Sequence, residues 1–414
     1  MSSERKRRQR SSAPSVGSLV TTAVVAVGIY QLTSWAWESW NNTNENDDEA
    51  NMQGQPILSG MRDALLSDPP RQQNQQHHRQ RWRLRRQRME RCREETSNAL
   101  RDFLPTLRRA VENQTDISEE TKKLKKLRSE RRDEQRFEEK ELWDSIKIKA
   151  MTRMITTAYG HSILFLVLTM QVHLLGGRLF DEQMKLQTTS STIGVDSLAS
   201  DRMGSYQASH RLVLTRTYDF FFEKGIGLLL QTVEGAVMTV IADWDVTNPA
   251  SIHTRYDMLN DAIQQIREIV EGRTRRSPRR PRSLLRFLLP PEQGVEPTFT
   301  DDGLAQSILD ETWDLIESPV FEDAQRDSLA ATFDIMRDQS WSKIFVEAHS
   351  SWPQHASCHY TTKPLAHIVI KLKATSNSFF DPEQTAPISS GANRYIATIQ
   401  RIPTIVELGD VSFN

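Results

Sequence analysis

From Tyr159 to Gly177 the chain reads "YGHSILFLVLTMQVHLLGG", the most apolar run in its body. The apolar pattern runs backwards without a break into a charged amphipathic stretch through Leu142, Ile146, Met151 and Ile155. That spacing predicts one long helix, with Asp116-x-x-Glu119 as a capping box at its start. Its first half, Lys122 to Glu141, reads as solvated. Its second half, Leu142 to Leu175, is apolar, and Gly176-Gly177 is the expected stop. A membrane span needs about 20 apolar residues, so this run is marginal. It also contains His161, Gln171 and His173, each costly in hydrocarbon. A helix apolar all round is equally the central helix of a soluble bundle, and that is the reading adopted.

The remaining pattern is helical too. Helices are expected from Ile57 to about Val111, from Gly204 to Val246, and from Ile252 to Glu271. In the last, Leu259, Ile263, Ile266 and Ile269–Val270 recur at helical spacing. Residues 273–300, rich in proline and arginine, predict a long surface loop. Helices resume over Asp301–Glu317 and near Pro319–Val346, and "KPLAHIVIKLKA" fits a strand by alternation or a helix by context. No internal repeat is present. The fold class expected is all-α: a single N-terminal transmembrane helix followed by a large twisted helical bundle.

The anchor is read from the N-terminus, where "RKRRQR" (Arg5, Lys6, Arg7, Arg8, Gln9, Arg10) precedes an uncharged run from Ser11 to Trp37. At 1.5 Å per residue such a run crosses a hydrocarbon layer of about 30 Å. Trp35, Trp37 and Trp40 cluster where an interfacial aromatic belt lies. A cleaved secretory signal shares the basic-then-apolar layout, but no clear A-x-A site follows. Sugar on the sequons at Asn41 or Asn113 would place the body in the secretory lumen. The divisions expected are residues 1–14 (basic segment), 15–37 (anchor), 38–60 (flexible tether) and 61–414 (helical bundle, with its loop at about 273–300).

Charge is near balance, so global electrostatics name no partner; its distribution is uneven. From Arg71 to Arg93 there are nine arginines against one glutamate. Arg81, Arg85, Arg86 and Arg88 are the candidates there for an anionic lipid surface. Only Trp82 offers a stacking aromatic, which argues against nucleic acid. Two cysteines, Cys92 and Cys358, exclude a disulfide scaffold and a four-thiolate zinc site. His349, His355, Cys358 and His359 lie close in sequence but match no common zinc spacing. Phosphate-binding glycine loops and a nucleophile elbow are absent. No enzyme, metal or cofactor is expected.

One set of residues resembles a known family. The basic cluster and anchor are followed by "RMERCREETSNALRDFLPTLRRAV" (88–111). Then come "LWDSIKIKAMTRM" (142–154), the apolar helix with "GG", "DMLNDAIQQIREIVE" (257–271), "FLLPPEQG" (287–294), "ILDETWDLIESPVF" (308–321) and "KPLAHIVIKLK" (363–373). In order and spacing these resemble the peroxin-3 family of membrane-anchored docking receptors for peroxin-19. The resemblance implies a cytosolic all-α bundle on one span, with the apolar helix in its core. It implies reception of peroxin-19 carrying peroxisomal membrane protein clients, at the peroxisomal membrane. The basic cluster Arg5, Lys6, Arg7, Arg8 and Arg10, with the span, becomes the implied targeting signal. The positive-inside tendency would hold that cluster in the cytosol; the resemblance places it in the peroxisome interior.

The family's partner lies as an amphipathic helix in an apolar groove at the membrane-distal end. The resemblance puts Trp143 at the centre of that contact, with Leu142 and Ile146 beside it. A partly exposed aromatic where a charged helix turns apolar suits such an anchor. Lys140 matches a family lysine only loosely. A family basic contact falls on His367.

Overall fold

The computed structural model describes residues 70–130, 136–189, 196–247, 253–254, 256–272, 284–288, 303–345, 363–379 and 394–414. The basic segment (1–14), anchor (15–37), tether (38–60), most of the 273–300 loop, and His349, His355, Cys358 and His359 lie outside them. The described chain is all-α. Helices α1 (Pro70–Gln114), α2 (Ser118–Glu130) and α3 (Arg136–Thr189) come first. Next are α4 (Asp196–Phe220), α5 (Ile226–Ile241) and α6 (Tyr256–Val270). Then follow α7 (Gly303–Ile316), α8 (Pro319–Met336) and α9 (Ser342–Phe345). Helices α10 (Leu365–Phe379), α11 (Arg394–Ile399) and α12 (Pro403–Phe413) complete the set. A two-residue antiparallel bridge pairs His253 with Pro364 and Thr254 with Lys363. The "KPLAHIVIKLKA" segment is therefore a helix entered through that bridge.

Helix α3 is the axis. Helices α1, α2, α5, α8, α10 and α12 all pack against it. Its apolar stretch is 94% buried, which places "HSILFLVLTMQVHLLGG" inside the bundle. The polar residues there are also inside: the ring Nδ1–H of His173 donates to the Thr169 carbonyl at 2.7 Å, and His161 lies edge-on to Tyr395 of α11 at 5.3 Å. A buried polar knot ties three helices together. Tyr159 of α3 donates to Glu271 at 3.0 Å, Arg267 of α6 pairs with the same carboxylate at 3.2 Å, and the Arg267 guanidinium lies over Phe333 of α8 at 4.4 Å. The α6 stripe of Leu259, Ile263, Ile266 and Val270 is buried as expected, while Ile269 is exposed.

Two expectations change. The long helix is two elements, α2 and α3. Asp116 accepts from the backbone N–H of Ser118 at 3.0 Å and starts the short α2. Nor does α3 stop at Gly176-Gly177; it continues to Thr189. The glycines serve close approach instead. A Cβ on Gly176 would strike the Cys92 sulfur, and one on Gly177 would strike the Phe413 carbonyl oxygen. They let α1 and α12 seat directly on the axis. A similar contact, between Gly225 and the Phe287 carbonyl, accompanies the π-turn (Phe221–Gly225) joining α4 to α5.

Candidate functional site

Helix α1 runs antiparallel to α3. Cys92 meets Gly176, Leu107 meets Gly160, and Thr115 accepts from Arg153 at 2.9 Å. The two groups of residues singled out in the sequence therefore fall at opposite ends of the axis.

At the first end, the opening turns of α3 carry Leu142, Trp143 and Ile146. Here the main core gives way to a separate apolar cluster: Ile117, Leu124, Trp143, Ile146, Ala150, Val246, Leu365 and Val369. Leu142, Trp244 and Ala366 are half-buried against it. Four segments build it: α2, α3, the turn after α5, and the start of α10. Their apolar faces have no other place to be buried, and each fully buried aliphatic contributes about 1.5–3 kcal/mol. Trp143 is only 5% exposed, more buried than its place at the charged-to-apolar edge suggests. Its ring is roofed by the guanidinium of Arg128, 5.4 Å from the ring centroid. That arginine is itself 58% exposed and held by Glu139 at 3.0 Å.

Ion pairs rim the cluster. Lys140 pairs with Asp245 at 3.1 Å, so the lysine already has a carboxylate partner. The Asp245 carboxyl is pulled down to about 2 by the Thr247 hydroxyl and backbone N–H, then by Lys140. Lys147, almost fully buried, donates to Asp144 at 2.8 Å and to the Trp244 carbonyl at 2.6 Å. Lys149 bridges Glu120 and the Asp116 carbonyl, which fastens α2 to α3. His367 is exposed on α10, next to Ala366 and two residues before Val369. Ile370, one turn further, is 59% exposed, and Phe137 at the start of α3 is 71% exposed. The fold thus brings Trp143, Leu142 and Ile146 together with the α10 turn that carries His367. Leu124 and Trp244 in the cluster, and Arg128 and Asp245 on its rim, were missed in the sequence; the signal for Leu124 is an apolar position in a charged run.

At the second end, the arginines do not share one surface. Arg81 and Arg86 are exposed, Arg85 lies over the Phe413 ring at 5.7 Å, and Arg88 is 8% exposed inside the bundle. Arg93 pairs with Asp410 of α12 at 3.2 Å.

No chain of three acidic, histidine or cysteine side chains gathers into a cation site among the described residues. What the fold presents is a large all-α bundle on one axial helix, with an ion-rimmed apolar cluster at one end. Residues 129–412 match the Peroxin-3 family, and the chain belongs to that family. It is 24% identical over 245 residues to "Peroxisomal biogenesis factor 3" of Bos taurus, covering 57% of this chain and 60% of the relative. The same-named protein of Cricetulus longicaudatus is 24% identical over 233 residues, covering 53% and 55%. The matched stretches span less than two thirds of those relatives.

Proposed function

We propose that this chain is a membrane-anchored docking receptor that takes up peroxin-19 loaded with newly made peroxisomal membrane proteins. In doing so it supports peroxisome membrane biogenesis as a binding protein, not as an enzyme. Family membership supports the biogenesis role. One structural observation carries the docking reading: Trp143 sits in a cluster separate from the main core, with the exposed side chain of Arg128 over its ring. Swinging Arg128 away from Glu139 would uncover the indole without disturbing the axis. An amphipathic helix could then set an apolar residue on Trp143, flanked by Leu142 and the α10 turn with His367. Phe137 and Ile370 extend the apolar area available to it. Lys140, already held by Asp245, contributes little. The body faces the cytosol and the span (15–37) sits in the peroxisomal membrane, with Arg5, Lys6, Arg7, Arg8 and Arg10 as targeting residues.

The test is a titration of the full chain, held in phosphatidylcholine nanodiscs, with a peptide from the N-terminus of peroxin-19. Wild type should bind, and Trp143→Ala should weaken binding by at least about 30-fold. Because Trp143 is buried, the variant's fold is checked by circular dichroism, and Trp143→Phe is run beside it to keep the packing. A folded Trp143→Ala that binds like wild type, or a wild type that does not bind, overturns the proposal.

A further inference from the structure

The arginine-rich start of α1 has two faces. One packs inward through Leu84, Arg88 and Met89, with Arg85 over the Phe413 ring, and the other is turned to solvent. Along the solvent face Arg79, Arg83 and Arg86 recur at helical spacing. All three are exposed. Arg79 and Arg83 make no ion pair among the described residues; Arg86 has only the exposed Glu90, at 3.3 Å. Trp82, 58% exposed, borders the same stripe, with the Arg86 guanidinium 5.7 Å from its ring. Arg81 is exposed on the side of the helix that turns inward further along, where Arg88 is buried.

We infer that the stripe Arg79, Arg83 and Arg86, with Trp82, is a contact surface for anionic phospholipid. This goes beyond the docking reading and does not depend on it. Charge complementarity is the first argument, since a row of exposed guanidinium groups, with one exposed carboxylate beside it, fits a layer of lipid phosphates and carboxylates. The second is the tryptophan. An exposed indole beside the cations suits the headgroup boundary, where such rings collect. A polynucleotide face would call for several stacking aromatics, and this segment has one. The third is position. In sequence the stripe follows the apolar run 11–37 by some 40 residues, and it lies at the opposite end of the axis from the Trp143 cluster. Lying on the bilayer, it would point that cluster away from the membrane.

The full chain, with Cys358→Ser and either Gln80→Cys or Lys123→Cys, is labelled with a fluorophore. Cys92 is fully buried and stays unlabelled. The protein is placed in nanodiscs of phosphatidylcholine alone, or of phosphatidylcholine with phosphatidylserine, each carrying a headgroup quencher. Quenching at position 80 should rise with the anionic lipid. It should revert when salt is raised from 0.1 to 1 M, shortening the screening length from about 10 Å to about 3 Å. Position 123, at the far end, should not respond. Each of Arg79→Gln, Arg83→Gln and Arg86→Gln should weaken the contact about fivefold. Equal quenching at position 80 in both lipids overturns the inference. So does salt-sensitive binding of a DNA duplex by protein that ignores phosphatidylserine, which would make the stripe a polynucleotide face.

Discussion

The two ends of α3 are closed in different ways. Trp143 and Gly177 are about 50 Å apart along the helix, at 1.5 Å per residue. At the Gly177 end, closure is against the axis backbone: the Phe413 carbonyl sits where a Cβ on Gly177 would be, and the Cys92 sulfur abuts Gly176. The Phe413 carbonyl cannot swing aside as a side chain can. At the Trp143 end the lid is a long, exposed side chain and a rim of half-exposed ion pairs. Such pairs contribute about 0–1 kcal/mol each, so exchanging them for contacts with another molecule costs little. One end is built to stay shut and the other can be opened cheaply.

Acid should break the closed end most. His161, His173 and His210 are buried without charge; burial pushes them down to about 3, about 4 and about 4. When unfolded they take up a proton near pH 6.5, whereas folded they resist it. The folded state therefore keeps its full stability above pH 6.5 and loses it as pH falls towards 4. Near pH 5 the loss is about 2 kcal/mol per histidine. His161 faces Tyr395 of α11, and His173 packs on Gly409 of α12. Hydrogen exchange at pH 5 should show α11 and α12 opening before the Trp143 cluster, and uniform loss would contradict the comparison.

Gly177→Ala is the next largest. Its methyl group has to displace the backbone of Phe413, and the expected loss is about 3 kcal/mol or more in urea unfolding. Gly235→Ala, on the exposed face of α5 with nothing near its Cβ, should instead be neutral or gain up to about 1 kcal/mol. If both behave alike, close approach is not what Gly177 provides.

At the openable end the expected effects are smallest. Arg128→Ala and Lys140→Ala should each cost less than about 1 kcal/mol in thermal unfolding. A larger loss from Arg128→Ala would mean that the roof over Trp143 is structural, and the contrast between the ends would fade.

How far the sequence announced this arrangement depends on the range of the contact. The α6 stripe and the core run of α3 are local periodicities and are legible at once. The break between α2 and α3 falls within a continuous charged run, where no change of period marks it. The role of Gly176-Gly177 is not local. Two glycines at the end of an apolar helix read as a stop, and only the seating of Cys92 and Phe413, distant in sequence, explains why the helix runs on. Trp143 was identified through resemblance and its place at an apolar edge. Its burial was not legible, because Arg128, Trp244, Val246 and Leu365 reach it from separate segments.

The seat of α12 on the axis also has a consequence in time. Phe413 leaves the ribosome 236 residues after Gly177 (413 minus 177). At about 5–20 residues per second that is a delay on the order of 10 to 50 s. Throughout it, the axial helix lacks one of its covers and offers an apolar stretch long enough to be taken for a membrane span. His161, Gln171 and His173 raise the cost of that error while the helix waits. Residues that burden the finished core thus help the unfinished chain stay out of the wrong bilayer.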